Sequence, residues 1–421
     1  MKKLLLSAAS FAVVAVTAMV SAPATSEAVP AFARQTGAAC LSCHFQAIPR
    51  LSAFGRNFRM NAFRSMGEQA LLEDEHLSLP AVFNMSFLMK ARVSTGKTTN
   101  SLGVITAQGG VIGTAPTAAS TALQFPDETA LLFGGRVGEH AGMLVEMGYV
   151  PGAMDMLGYK IAYVIDIDAG IVALTLGTSD ALGLASIFND PSNAISRNIR
   201  GVQTRARSLR ATNMHTAATA VGIYAYLADM VYVAAGGFVD AGGGTVGNAG
   251  VDMTLSPYLR AAYTGEIAGF DLVAGAWYSN AQNANYKQLV LMKGSRKVVG
   301  LDLQLQGDVG DFSVGFYLPV VLSSKGDANY LPQANTKVTG FMPYVNIAMG
   351  AVGVRLGYDY SKSTSSLTNI DVKDNTIVFG AWYDVAQNLT LDLEFDGRKQ
   401  TTAGLTTLKS NATTLQLEYV Y

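Results

Sequence analysis

The sequence predicts a mainly β protein, an antiparallel transmembrane β-barrel of about sixteen strands with a small helical domain in front of it. Composition points this way first. Charged residues make up 14% of the chain, against ~25% in typical soluble domains, while 49% are hydrophobic and glycines number 43. Beyond the N-terminal residues no apolar stretch is long enough for a transmembrane helix. The apolar residues are instead spread at short period, as in strands with one lipid-facing side.

Alternation of apolar and polar residues is clearest in the C-terminal half. One segment pairs a lipid-facing set with a lumen-facing set: Leu389, Leu391, Leu393 and Phe395 against Thr390, Asp392, Glu394 and Asp396. A soluble β-sandwich also alternates, because one face of each strand is buried and the other is solvated. Alternation by itself therefore leaves both architectures open.

Connection lengths favour the barrel. Short joints such as Gly138 to Gly142 alternate with long ones such as Gly96 to Gln124 and Ser179 to Thr216, and Pro151 to Leu157 is the exception. Outer-membrane barrels have tight turns at the periplasmic end and longer loops at the outer end. A sandwich does not require its short and long connections to lie at opposite ends. The chain also finishes on the aromatic Tyr421, as proteins of this class usually do.

The N-terminus has the pattern of a secretory signal peptide. A basic Met1-Lys2-Lys3 precedes an apolar run from Leu4 to Val20, and small residues follow. Cleavage is expected after Ala28, with Ala24 as the second choice, and a retained membrane anchor is the alternative. The predicted division is a signal peptide over 1–28, a helical domain over 29–77 and a barrel over 78–421.

The helical domain contains the chain's only two cysteines, in the run Cys40-Leu41-Ser42-Cys43-His44. C-x-x-C-H is the attachment signature of c-type haem, because two thiols at this spacing reach both vinyl groups of one porphyrin. His44 then becomes the proximal iron ligand. A redox C-x-x-C needs a βαβ context, and a zinc site needs two further ligands. The motif therefore predicts a cytochrome c-like domain with one covalently bound haem c.

The other haem contacts stay open at this level. Three residues of the domain are candidates for the distal iron ligand: Met60, Met66 and His76. Methionine and histidine both serve in cytochromes, and methionine is favoured because Glu73, Asp74 and Glu75 indicate exposed surroundings for His76. The alternative is helix packing for the two methionines and a solvated linker position for His76. Three arginines are candidates for charge-assisted bonds to the haem propionates, or are ordinary surface cations: Arg34, Arg56 and Arg59.

Two features of the predicted outer side also suggest functions. The loop that carries Arg197, Arg200, Arg205, Arg207 and Arg210 could fold inward as a constriction or bind lipopolysaccharide phosphates. Asp127 and Glu128, expected at the outer start of the second strand, could hold ferrous ions transiently, because oxygen ligands suit that ion. A polar barrel rim would show carboxylates in any case.

Three stretches around the motif resemble a known family. They are Ala28-Val29-Pro30-Ala31-Phe32-Ala33-Arg34-Gln35-Thr36-Gly37, Pro49-Arg50-Leu51-Ser52-Ala53-Phe54-Gly55-Arg56-Asn57-Phe58-Arg59 and Leu77-Ser78-Leu79-Pro80. The sequence here resembles the fused outer-membrane cytochrome-porins of iron-oxidising bacteria, and the likeness is specific up to the start of the barrel. One departure is Asn61-Ala62-Phe63, where the family usually carries glycine and an aromatic residue.

The resemblance implies an oxidoreductase acting on metal ions. Extracellular Fe(II) would be the electron donor, a periplasmic cytochrome c the acceptor, and outer-membrane lipid the surroundings. The alternative is a porin or transport barrel whose haem is structural or serves another redox partner. The net charge of −1 gives no indication of nucleic-acid binding. Because the link to the first strand is short, the haem domain is expected inside the barrel or at its periplasmic mouth.

Overall fold

In the computed structural model the chain forms a closed antiparallel β-barrel preceded by a short helical segment. The structure describes residues 31–421 except 68, 76–77, 101–103, 108–109, 115–116, 151–152, 180–187, 193–217, 241–250, 253–254, 283–284, 287–293, 328–334, 369, 387 and 404–405. The predicted signal peptide and His76 lie outside these residues. None of the described helices is long and apolar enough to cross a membrane.

Sixteen strands close the barrel, which confirms the predicted number. In chain order β1 to β16 are Met85–Asn100, Thr117–Arg136, Ala141–Val150, Ala153–Ile167, Gly170–Ser179, Ala218–Leu227, Val231–Asp240, Ser256–Ile267, Phe270–Gln282, Ser295–Val309, Phe312–Ser323, Thr336–Phe341 with Tyr344–Met349, Val352–Ser365, Asp371–Ala386, Leu389–Thr402 and Thr406–Val420. Both segments of β12 pair with β11 and β13, so they count as one strand. The seam is the pairing of β16 with β1, where Leu417 faces Ala91.

The segment before β1 contains three short described helices, α1 (Ala31–Thr36), α2 (Cys40–Cys43) and α3 (Ala53–Met60). Three small two-stranded pairings among the described residues lie outside the barrel ladder: Leu71–Glu73 with Ser78–Pro80, Val104–Ala107 with Gly110–Thr114, and Val251–Asp252 with Asn285–Tyr286. The barrel therefore accounts for most of the described chain.

The barrel wall is apolar outside and polar inside, as the alternation predicts. On β10, Leu301 is 47% exposed while its neighbour Asp302 is 6% exposed. On β13, Leu356 is 57% exposed and Arg355 is 3% exposed. Exposed leucines beside buried charges reverse the order of a soluble protein and match a wall that faces lipid. This burial pattern distinguishes the barrel from the sandwich.

The short joints occur where they are expected, but some long loops are much shorter than predicted. Tight turns link β2 to β3 and β4 to β5, and the link from β5 to β6 is long. The expected loop Gly96 to Gln124 is largely strand, since β1 continues to Asn100 and β2 begins at Thr117. Its Thr, Ser and Ala residues pair without an apolar face, so apolar alternation fails to reveal them. Pro126 is accommodated by a bulge in β2, where residues 125–127 stand opposite Ala91.

This longer β2 changes the position of two carboxylates. Asp127 and Glu128 lie within the strand rather than at its outer start. Asp127 pairs with Arg92 at 2.9 Å and Glu128 with Lys90 Nζ at 2.6 Å. Both carboxylates therefore already have a cationic partner.

Part of the long connection between β5 and β6 is folded into the lumen. Phe188 is fully buried and its ring stacks on that of Tyr258, with 5.2 Å between centroids. Asp190, also buried, pairs with Arg260, whose Nη1 donates to Asp302 at 2.6 Å. The described residues 188–192 of this connection thus lie inward, and the two alternatives for the basic run stay predictions. The run from Arg197 to Arg210 lies outside the described residues.

Candidate functional site

The N-terminal segment fills one end of the barrel. Its side chains bond to wall residues near the short turns on several sides of the lumen. Arg56 pairs with Asp271 of β9, and Arg64 with Asp166 of β4. Gln46 donates through Nε2 to the carbonyl oxygen of Ser313 on β11 at 2.7 Å. Since these contacts lie around the circumference, the segment is inside the lumen rather than beside it.

Close backbone approach makes this docking possible. Gly142 of β3 lies against the segment where a Cβ atom would stand 1.6 Å from the carbonyl oxygen of Ala62. No side chain fits at that distance. Ala62 and Phe63 follow α3 with φ of +54° and +58°, a backbone conformation that glycine adopts most easily. This left-handed turn is formed here by alanine and phenylalanine rather than by glycine.

The C-x-x-C-H run forms one helical turn and a tight return. In α2 the N–H of His44 donates to the Cys40 carbonyl at 2.8 Å, and a β-bridge joins His44 to Leu51. Ser52 then caps α3, because its Oγ accepts from the N–H of Gly55 at 3.2 Å. A Cβ on Gly55 would lie 2.0 Å from the Cys43 carbonyl oxygen. Glycine is therefore needed for α3 to pack against α2.

Both cysteines and His44 line a single cavity of about 320 Å³ between the segment and the barrel wall. The two thiols are free, with Cys40 buried and Cys43 half-buried. Apolar residues of the segment form one side: Ala31, Phe32, Ala47, Ile48, Pro49, Leu51, Phe58 and Phe63. The cavity thus brings two thiols, an imidazole and an apolar surface together.

His44 is oriented by a backbone acceptor. Its Nδ1 lies 3.1 Å from the carbonyl oxygen of Arg50, which can only accept, so Nδ1 carries the proton. Burial lowers the pKa of His44 to about 4, so the ring is neutral near pH 7. Nε2 therefore keeps its lone pair, the form in which histidine binds iron. This donor set and its apolar surroundings fit the requirements of a c-type haem.

Of the other predicted site residues, the structure places some at the cavity and others away from it. Arg59, which is 5% exposed, lines the same cavity. Arg34 donates to the carbonyl oxygen of Met85, and Arg56 is engaged with the wall. Met60 is buried in an apolar cluster with wall residues of several strands, and Met66 is half-exposed. Among the described residues neither methionine belongs to the cavity lining, and the distal ligand stays a prediction.

The barrel wall provides lining residues that the sequence did not single out. Lys90, Glu128, Lys160 and Glu418 reach the cavity from β1, β2, β4 and β16. Nζ of Lys160 lies 5.1 Å from the centre of the Phe63 ring. Alternation shows that such residues point inward. It does not show that they lie at the same level along the barrel axis as the C-x-x-C-H motif. In the described part of the chain, no group of three His, Cys, Asp or Glu side chains is arranged to hold a metal ion.

Comparison with known proteins supports the fold. The chain matches the outer membrane channel DcaP of Acinetobacter baumannii with a TM-score of 0.53 at 12% identity, covering 84% of this chain and 100% of that one. It matches the anion-selective porin from Comamonas acidovorans with a TM-score of 0.50 at 10% identity, covering 81% and 100%. No family model and no curated protein matches the sequence.

The chain is therefore an outer-membrane β-barrel of the porin type by its fold, which supports a location in the bacterial outer membrane. Its lumen contains the segment with two free thiols and an oriented imidazole.

Proposed function

We propose that this protein is an outer-membrane c-type cytochrome that oxidises extracellular Fe(II) and passes the electron through one haem to a periplasmic cytochrome. One observation carries the proposal. The only C-x-x-C-H motif of the chain lines a cavity inside a closed, lipid-facing barrel. A barrel that only passes solutes needs no such motif, and a soluble electron carrier needs no barrel.

The residues of the segment have separate parts in this function. Cys40 and Cys43 would hold the haem by thioether bonds, and His44 would bind its iron through Nε2. The carbonyl of Arg50 fixes the imidazole ring, and the apolar lining excludes water. When bound, haem c supplies one-electron chemistry, accepting one electron for each Fe(II) that becomes Fe(III).

The barrel would place the haem within the width of the membrane. The hydrocarbon layer does not conduct electrons, so a redox group has to lie within the width of the membrane. The side chains that dock the segment, Arg56 and Arg64, fix it at the end of the barrel with the short turns. That end is periplasmic in outer-membrane barrels, which suits delivery to a periplasmic carrier. Oxidation on the outer side keeps poorly soluble ferric iron away from the periplasm.

The second candidate is a transport barrel whose haem is structural or serves another redox partner. The likeness in fold to a channel and to a porin favours it. The segment in the lumen and the inward residues 188–192 reduce the space for solutes, which is an argument against it.

Mixing with Fe(II) under argon separates the two candidates. The purified, oxidised protein should develop the reduced α-band of haem c as Fe(II) is consumed in equal amount. A haem stain of the denatured protein establishes covalent attachment independently. A protein that holds haem but is not reduced by Fe(II), and that passes small solutes freely, would support the transport function instead.

A further inference from the structure

Arg50 is a buried cation at the haem cavity that sequence reasoning missed. It is 2% exposed and lines the cavity together with both cysteines and His44. Among the described residues its side chain makes one hydrogen bond, from Nε to the Phe45 carbonyl oxygen at 3.4 Å, and no ion pair. Burying a cation without a counter-ion is costly, so this arrangement points to an anionic partner.

Other cations inside the barrel differ from Arg50 in this respect. Lys90 pairs with Glu128, Arg260 with Asp302 and Arg355 with Asp392. Asp384 also attracts Arg50 electrostatically, but its carboxylate accepts from Thr390 Oγ1 at 2.7 Å. No described carboxylate therefore forms an ion pair with Arg50.

The barrel wall holds the guanidinium in place. Its central carbon lies 4.7 Å from the centre of the ring of Trp382, a fully buried residue of β14. Arg355 lies 5.8 Å from that ring and uses its own nitrogens on Asp392. A guanidinium in a cation–π contact with an aromatic ring can still make bidentate bonds to a carboxylate. The terminal nitrogens of Arg50 have no hydrogen-bond or ion-pair partner among the described residues, and Arg50 lines the cavity.

We propose that the Arg50 guanidinium binds a propionate of the haem, and that its cation–π contact with Trp382 ties the haem to the barrel wall. The same residue also accepts the His44 Nδ1 proton through its carbonyl oxygen. Arg50 thus joins the proximal ligand, the propionate and β14. The inference rests on the haem of the proposed function and is independent of the electron donor.

The test compares three variants after equal haem loading is established by stain and absorbance. Arg50→Gln removes the cation, Arg50→Lys keeps it without the bidentate geometry, and Lys97→Gln removes one charge from an exposed site on β1. Midpoint potentials are measured by chemical titration with mediators over a range of pH, so Fe(II) is not involved.

Arg50→Gln should lower the midpoint potential, because an unneutralised propionate stabilises ferric iron. The pH-dependent part of the potential should move to higher pH, since the propionate pKa rises without its partner. Arg50→Lys should recover part of both effects, and Lys97→Gln should match the native protein. A fully loaded Arg50→Gln protein with native potential and pH profile would overturn the proposal.

A measurement on the native protein tests the proposal even if the Arg50→Gln variant does not fold. Infrared difference spectra with isotope-labelled propionates should show one propionate that stays ionised below the pH range of ordinary carboxyl groups. If both propionates protonate in the ordinary range, the proposal is wrong. A native protein that holds haem but is not reduced by Fe(II) contradicts the proposed electron donor. The midpoint potentials and infrared spectra would still test the role of Arg50, because neither measurement uses Fe(II).

Discussion

The Tyr224 hydroxyl donates a hydrogen bond to the backbone carbonyl of Met60 at 2.7 Å, joining strand β6 to the end of α3. The same hydroxyl accepts from Asn189 Nδ2 at 3.2 Å. One tyrosine of the wall therefore contacts the N-terminal segment and the inward part of the long outer loop. The two pieces of chain that occupy the lumen are thus linked through a single buried group.

Tyr224→Phe should weaken this link. Loss of the hydroxyl leaves the Met60 carbonyl and Asn189 without their partner, at a cost of about 1–3 kcal/mol. Limited proteolysis in mild detergent should cut the N-terminal segment faster in the variant than in the native protein. The matched control is Tyr263→Phe, which alters a lipid-facing tyrosine of β8 that is 45% exposed. Equal cleavage rates for Tyr224→Phe and the native protein would mean that other contacts hold the segment.

Replacing both cysteines should remove covalent cofactor without opening the barrel. Cys40→Ser with Cys43→Ser takes away both thioether bonds, while the ladder of β1 to β16 does not involve either residue. The haem stain on a denaturing gel should disappear, and the heat-dependent shift in mobility typical of folded barrels should remain. Ser42→Ala, a change at an exposed position between the cysteines, should keep the stain. Persistent staining of the double variant would exclude thioether attachment.

Gly55→Ala should disturb the packing of α3 on the motif. The new methyl group would meet the Cys43 carbonyl oxygen at 2.0 Å, so the helices have to separate. Overpacking of this kind costs about 1–3 kcal/mol. We expect less haem per barrel, measured as the ratio of haem to protein absorbance after purification. Asn57→Ala, at an exposed position of the same helix, should retain the native ratio. A native ratio in Gly55→Ala would show that the helices adjust without loss.

Small solutes should pass the native barrel slowly. The segment and residues 188–192 both occupy the lumen, with Phe188 packed against Tyr258. Liposomes containing the native protein should swell slowly in small sugars, and conductance in planar bilayers should be low. Phe188→Ala should change this little, because the N-terminal segment still fills the other end. Deletion of residues 31–67 should raise the conductance clearly, and high conductance of the native protein would contradict a closed lumen.

The fold was largely predictable because a two-residue period directly encodes which side of a strand meets lipid. The alternation predicts Phe395 outside and Glu394 inside, and they are 39% and 1% exposed. Strand ends were predicted less well. Beyond the lipid layer a strand pairs through its backbone alone, so the threonines and alanines before Leu123 gave no signal.

The site was only half predictable for a different reason. The motif residues Cys40, Cys43 and His44 are neighbours in the sequence, so their spacing alone predicts haem attachment. Lys90, Lys160 and Trp382 reach the same cavity from strands far apart in the chain. Their positions along the barrel axis depend on the stagger between strands. That stagger is set by many residue pairs that are far apart in the sequence. Arg50 was missed because nothing local shows that its charge lacks a counter-ion.

The seam between β1 and β16 has a consequence for biogenesis. Phe87 of β1 exchanges backbone hydrogen bonds with Tyr421, which follows β16, so the wall is closed only when β16 is in place. Cys40 is only 9% exposed in the closed barrel. Under the proposed function, the porphyrin would therefore have to be joined to the chain before the cylinder shuts. Maturation in the periplasm and insertion into the outer membrane would then be successive steps, with the loaded segment enclosed as β16 arrives.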